Sequence, residues 1–491
     1  MLPMISKFET QTQTKSEIAA ARIVKKLQSA SFAAFFVGGC VRDRLIGVVP
    51  KDYDIATSAR PDEVLQLFSR TSAVGLEFGV VQVFEEGEWY AISTFRSDGV
   101  YHDGRHPNQV HYTKDPQLDT QRRDFTMNGL LYDPSSKQVL DFVGGQRDIR
   151  SGIVRTIGLP ERRFQEDKLR LMRAIRFAAR FRYELEVETR RALHSRAHEI
   201  VDVSPERVRD ELAKILTEGY AASGIRKLDE VRLLGHLLPD VLALKGVAQS
   251  PEFHPEGDVW THTLLMLELM DQTKANGGNV IQRKSLVSVD QVPDQPSSES
   301  SLSEKIVVPY PSLTLAMGVL LHDIGKPSTI DLKDRIRFNR HAEIGGCIAA
   351  KVCVRLCLSK KQQARVTGLV RQHLKFKDLP SMRSSTLKRF ISQNNFEEHL
   401  ELYRLDCLGS HGNLDNWSVS RKLLNSLKSE NIHPRPLLTG NDLIQMGYRP
   451  GPIFGRILRF VRDAQLEDQL QTHQQARKWV LRQFEVEPTR N

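Results

Sequence analysis

The chain has 491 residues, enough for roughly two to four domains. Hydrophobic residues at 40% and charged residues at 26% are ordinary for a globular chain and exclude a membrane-embedded, fibrous or wholly disordered one. The net charge of +10 favours a polyanionic partner, and five cysteines (Cys40, Cys347, Cys353, Cys357, Cys407) without a CxxC pair fit a reducing cytoplasm. In chain order, residues 1–15 are polar and read as loose, without the apolar core of a signal peptide. Residues 16–30 have helical periodicity. Residues 31–145 mix short apolar strands with Gly/Asp turns, and Gly79–Phe84 with Trp89–Phe95 read as a hairpin around Glu85–Glu88. From about residue 160 strand signals fade and helical patterns run to about 245. Residues 272–306 are Gly-, Ser- and Pro-rich and poor in apolar side chains, so a disordered insertion is expected there. Helical patterns resume at about 311, and Gly447–Gly455 opens a last helical segment. No run approaches a membrane span, so no membrane partner is expected. The fold class is α+β: a head on a small mixed sheet, followed by a mostly all-α remainder.

Residues 36–54 are the most informative stretch. An apolar run (Phe35, Phe36, Val37) stops at Gly38-Gly39, then Val41-Arg42-Asp43 and a short linker lead to Asp52-Tyr53-Asp54. Paired glycines let the backbone approach a phosphate chain and turn its N–H groups toward it. A helix beginning there adds a favourable dipole, and Arg42 adds a charge. Asp52 and Asp54 alternate on an expected strand, so both carboxylates point to one face and suit Mg²⁺. A phosphate cradle followed by a metal dyad implies metal-assisted phosphoryl or nucleotidyl transfer.

Further along, Phe95–Pro107, Arg122-Arg123-Asp124-Phe125-Thr126-Met127-Asn128, Glu166–Phe177 and Ser204-Pro205-Glu206-Arg207 form four more blocks. With GGCVRD…KDYDIAT, their order resembles the class II nucleotidyltransferases of the tRNA CCA-adding enzyme and bacterial poly(A) polymerase group, over roughly residues 30–240. The resemblance implies a nucleotidyltransferase head at 31–150, behind an N-terminal segment and helix at 1–30, and a helical RNA-binding neck at 151–245. It makes Asp52 and Asp54 the catalytic, Mg²⁺-binding pair, one ion activating the terminal 3′-OH and one neutralising the triphosphate. Asp167, Arg170, Arg173 and Arg176 recur every three residues and are expected on one helix. Cytosine and adenine both offer an exocyclic amine beside a ring-nitrogen acceptor, which a carboxylate and a guanidinium can read together. The family uses its matching Asp and Arg in this way, which assigns that role to Asp167 and Arg170. It also implies nucleotide contacts for Gly38, Gly39, Arg42, Arg123, Arg173 and Arg176, with Asp124 recognising the ribose or orienting Arg123. Residues 150–215 carry 16 Lys and Arg against 11 Asp and Glu, a local excess that suits RNA.

A second chemistry follows. His254-Pro255-Glu256-Gly257-Asp258-Val259-Trp260-Thr261-His262 is followed by Leu320-Leu321-His322-Asp323-Ile324-Gly325-Lys326, then His341, His373 and Asp406. A carboxylate inside an apolar helix is costly unless partnered, and imidazoles with carboxylates suit Ni, Mn, Fe or Zn. The pattern resembles the HD metal-dependent phosphohydrolases. That resemblance covers 246–410 and implies His262, His322, Asp323 and Asp406 as ligands, with His341 and His373 as candidates for a second ion. A helical tail (411–491) closes the chain.

The implied activity is template-independent addition of C and A, from CTP and ATP, to the tRNA 3′ end. Bacterial poly(A) polymerase is the near rival, but that subgroup carries a Gly-Arg-Arg-Phe-type stretch where this chain has Gly75-Leu76-Glu77-Phe78-Gly79. Addition of A alone is a second alternative. A third is an RNA-binding HD phosphohydrolase with a silent head, which the presence of Asp52, Asp54, Asp167 and Arg170 argues against.

Overall fold

The computed structural model describes residues 4–7, 14–99, 110–275, 311–332, 334–393, 395–429, 436–467 and 469–484. The chain divides into two compact units, Met1–Leu242 and Ala243–Asn491. Among the described residues no helix is long and apolar enough to cross a membrane.

The first unit is built on strands β1 (Met4–Lys7), β2 (Ala34–Val37), β3 (Asp54–Thr57), β4 (Thr71–Ser72), β5 (Val80–Glu85) and β6 (Glu88–Thr94). A side pair follows, β7 (Arg96–Asp98) with β8 (Val110–Tyr112), then β9 (Leu130–Asp133) and β10 (Gln138–Asp141). Eight of these form one sheet in the order β1-β10-β9-β2-β3-β6-β5-β4. It is mixed, as expected, because β3 and β6 are parallel while β2 and β3 are antiparallel. The expected hairpin is β5–β6, with Val81 opposite Ile92. Val37, Ala56, Phe95 and Leu131 are buried together under the sheet centre. The helix Lys15–Ser29 buries Ala19, Ala20, Ile23, Val24 and Leu27, and Thr14 caps it by accepting the Glu17 N–H at 3.1 Å. The N-terminal segment is not loose at Met4–Lys7: β1 pairs with β10 there. The rest of the first unit carries the helices Pro160–Glu166, Arg170–Phe181, Val187–Arg196 and Pro205–Thr217.

Among the described residues the second unit is helical apart from one short strand pair, Ile330–Asp331 with Arg337–Phe338, and its turns. Its helices include Val259–Ala275, Leu313–Leu321, His341–Arg355, Lys360–Gln372 and Phe396–Gly409. The helix Val259–Ala275 corrects the expected start of the insertion, since it runs past residue 272 and buries Thr273, which accepts from Arg404 at 2.9 Å. Residues 276–306, and Tyr101 to Pro107 of the second block, lie outside the described residues.

Candidate functional site

In the first unit, β2 delivers the chain to Gly38, whose φ of +73° only glycine adopts without strain. The helix Gly39–Leu45 starts at once, as expected. A Cβ at Gly38 would also stand 3.4 Å from Arg123 Nη1, so bare backbone faces that guanidinium. The antiparallel return places Asp54, the first residue of β3, opposite Val37. Asp52 lies two residues before the strand rather than on it. The alternation survives, because Tyr53 is buried while Asp52 and Asp54 are exposed. Among the described residues no cation is paired with either carboxylate. Desolvation and the charge of Asp52 hold the Asp54 carboxyl above its ordinary value, against the pull of Arg123.

Asp54 lines a pocket of about 450 Å³ with Gly38, Gly39, Arg42, Arg123, Asp124, Asp167, Arg170, Arg173 and Arg176, so every sequence-derived nucleotide contact and one of the two catalytic candidates meet there. Eight arginines and three aspartates line it, a strongly positive cleft suited to a triphosphate. The arginines are held apart by carboxylates and aromatic faces. Asp119, fully buried, accepts from Arg122 at 2.7 Å and Arg123 at 2.9 Å. Asp124 therefore does not orient Arg123, one of its two expected roles. It accepts from Arg173 at 2.6 Å and from Asn128 at 3.0 Å. Burial alone would raise its pKa, but these partners outweigh it and hold the carboxyl well below the usual range. Asn128 passes the network on by accepting Arg42 Nη1 at 2.5 Å. Arg42, 4% exposed, is bonded also to Asp43 and stacks on Phe181 at 4.7 Å, so it is held by the protein rather than free to meet a phosphate. Arg176 is likewise turned inward, to Glu211 at 2.6 Å and over Phe177 at 4.3 Å.

Asp167 is not on the helix with the three arginines. It caps Pro160–Glu166 in an extended conformation (φ −147°, ψ 103°), and its carboxylate accepts the Leu169 N–H at 3.1 Å to start the next helix at Arg170. The three-residue spacing hid this break; an Asp before a helix start is its signal. Arg207 holds both Asp167 oxygens at 3.0 Å, and Arg170 Nη1 is held by Glu166 at 2.9 Å. Asp119, Asn128, Arg207 and Glu211 are site residues that sequence reasoning did not single out individually. Arg122, Asn128 and Arg207 stand inside blocks already noticed, which is the signal that was available.

In the second unit, His262, His322, Asp323, His341, His373 and Asp406 come together, with His322 and Asp323 in the turn just after the helix Leu313–Leu321 rather than inside a helix. His262 Nε2 lies 3.2 Å from Asp406 Oδ1, and His322 Nε2 lies 3.1 Å from Asp323 Oδ2. Asp323 Oδ1 is 3.5 Å from His341 Nε2 and 3.7 Å from His373 Nε2. Three donor sets, His254/Glu256/His262, His262/His322/Asp406 and Asp323/His341/His373, each have their ligand atoms within 4.8 Å of one another. All three side chains of the last set are buried. Both ring nitrogens of His262 and Nε2 of His322 are buried without an aligned hydrogen bond. Lone pairs that converge on carboxylate oxygens in this way fit a divalent cation. Burial disfavours a proton on His262, but Asp406 and Glu256 push it up to about 9. Burial pulls His373 down to about 4, despite Asp323. Asp323 is held well below the carboxylate range by His322 and Lys326, which outweigh its desolvation.

Residues 34–155 match the family described as poly A polymerase head domain. Residues 182–244 match the probable RNA and SrmB-binding site of polymerase A, and 301–399 match the HD domain. A CCA-adding enzyme of Ligilactobacillus salivarius is 36% identical over 262 residues, 52% of this chain and 65% of the relative. One from Bacillus cereus (strain B4264) is 41% identical over 218 residues, 44% of this chain and 55% of the relative. The matched stretch thus spans less than two thirds of these relatives' own lengths. The fold is similar to that of a Bacillus stearothermophilus CCA-adding enzyme solved with CTP, at TM-score 0.64 and 22% identity over 96% of this chain and 98% of that one. It is similar also to a Thermotoga maritima CCA-adding enzyme complexed with tRNA, at TM-score 0.54 and 18% identity over 99% and 100% of the two chains.

Proposed function

We propose, from the premise that this chain belongs to the poly A polymerase head and CCA-adding enzyme family with an HD domain, that it adds C and A from CTP and ATP to the 3′ end of tRNA without a template. One observation carries the proposal. A single cleft joins Asp54 and the Gly38-Gly39 turn at one side to Asp167 and Arg170 at the other. Asp52 and Asp54 would hold Mg²⁺, which supplies charge neutralisation for a triphosphate and a lower pKa for an attacking hydroxyl. The Gly38-Gly39 backbone and Arg123 receive phosphate oxygens. Asp167 accepts from the exocyclic amine of C or A while Arg170 donates to the ring nitrogen, and U or G would face Asp167 with an oxygen. Asp124 and Glu211 hold Arg173 and Arg176 as the wall behind the base. The chain divides in function into head (31–150), neck (151–245), HD region (246–410) and tail (411–491).

Purified protein incubated with tRNA ending at the discriminator base, in C and in CC, with single labelled NTPs tests this. CTP should extend the first two and ATP the third. Long A tails, or A on every substrate, would replace the reading with poly(A) synthesis. Addition of A to the CC end alone would restrict it to the A-adding step. The paired donor sets support a second activity, a metal-dependent phosphoester hydrolysis, for which His262, His322, Asp323 and Asp406 would hold a transition ion and His341 and His373 a second.

A further inference from the structure

We propose that Glu256, backed by His254, is a positioning residue for His262, and that it makes an ion held by His262, His322 and Asp406 bind more tightly than one held by His341 and His373, with Asp323 between the two sets. The proposal rests on the reading of this cluster as a metal centre.

Three of the four imidazoles are oriented in one way. His322, His341 and His373 each direct Nδ1 at the backbone carbonyl three residues earlier: Val319 at 2.9 Å, Phe338 at 2.8 Å and Val370 at 2.7 Å. A neutral carbonyl fixes the tautomer and the ring plane, and little more. His262 is different. It sits in the first turns of the helix Val259–Ala275, and its Nδ1 lies 2.6 Å from a carboxylate oxygen, Glu256 Oε1, a charge contact out of line for a hydrogen bond. The same oxygen accepts from His254 Nδ1 at 2.9 Å, and the two rings stand edge to face with centroids 4.9 Å apart. The His262 side chain is fully buried and that of Glu256 is 8% exposed, so this charge acts at low dielectric. A negative charge this close behind an imidazole makes the opposite nitrogen a better donor.

The local sequence builds this arrangement. Asp258 takes the Thr261 N–H at 2.9 Å and the Gly246 N–H at 2.7 Å, which anchors the helix start. The turn before it folds Glu256 back over His262, one turn into the helix. Lys326 Nζ lies 2.6 Å from Asp323 Oδ2, the oxygen beside His322 Nε2, while Oδ1 faces His341 and His373, so its charge is felt by both halves. What separates the halves is the carboxylate behind His262, which His341 and His373 lack.

The test is metal binding to the full-length protein, stripped and then titrated with Mn²⁺ and with Co²⁺. Wild type should take up two ions with separated affinities. Glu256→Gln keeps an oxygen for Nδ1 but loses the charge; it should weaken the first ion about 10- to 100-fold, leave the second unchanged, and alter the visible Co²⁺ spectrum of the first. His254→Ala should shift the first ion in the same direction by less. If Glu256→Gln does not fold, as read by circular dichroism, Glu256→Ala, which also removes the charge, carries the same expectation. Unchanged affinities in a variant that folds, or an equal loss at both sites, overturn the proposal. A wild-type protein that takes up no ion overturns the metal-centre reading itself.

Discussion

Arg207 reaches across from the helix Pro205–Thr217 and fixes the Asp167 carboxylate by both oxygens, so the direction of the acceptor proposed to read the base is set by the protein itself. Arg207→Ala should therefore relax the choice of base. Discrimination against UTP and GTP should fall by about 10- to 100-fold, corresponding to roughly 1–3 kcal/mol for a base-edge pair, while the CTP rate falls less. Values of kcat/KM for the four nucleotides decide it; an equal fall for all four would make Arg207 a support for the helix only. Asp54→Ala should abolish incorporation at preserved tRNA affinity, a loss of several kcal/mol of transition-state stabilisation, read in single turnovers. Asp124 gives a pH prediction. Its pKa is lower in the folded protein than in the unfolded chain, where it sits near ~3.9. The stabilisation is thus complete above that value and is lost as pH falls below it. Asp124→Asn should cost about 1–3 kcal/mol near neutrality, and urea midpoints of variant and wild type should converge as pH falls below about 4. At this scale the sequence was legible where a residue carries its chemistry alone. Gly38, Asp54 and the His322-Asp323 pair declare themselves. Asp119 and Glu211 do not, because a buried carboxylate near an arginine in space looks like any surface acid in a string of letters.

Helices and strands were legible where one period dominates. The β5–β6 hairpin has alternation and a turn, and Lys15–Ser29 has an apolar stripe with a capping Thr. The break at Asp167 was not, because two helices separated by a three-residue turn keep almost the same spacing of arginines. Close approach between elements was equally hidden. Gly325 is packed under the helix His341–Arg355 so tightly that a Cβ would stand 2.1 Å from the His341 carbonyl oxygen. Any side chain there pushes that helix, and His341 with it, away from Asp323. Gly325→Ala should lower the melting temperature by an amount equivalent to about 1–3 kcal/mol or more and strip the Asp323/His341/His373 half of metal first. Calorimetry with metal analysis on the same sample checks both.

Two units carry two donor chemistries: bare oxygens at Asp52 and Asp54, and imidazoles with carboxylates around Asp323. Hard Mg²⁺ suits the first set and softer transition ions the second. His322→Ala with Asp323→Ala should therefore remove bound transition metal and leave Mg²⁺-dependent incorporation within a few-fold of wild type. Loss of incorporation in a variant that keeps its circular dichroism would tie the two chemistries together. The two-unit division was legible only in outline, since composition changes little between the helical neck and the helices that follow. The His-Asp cluster has one more consequence. Its ligands run from His262 to Asp406, and none of the long-range pairs forms from local contacts. The site is assembled by tertiary folding of that unit and is not written in any single helix. On the proposed reading of the cluster as a metal centre, ion capture is a late event, and the appearance of the Co²⁺ spectrum after dilution from denaturant would time the last step of folding rather than its nucleus.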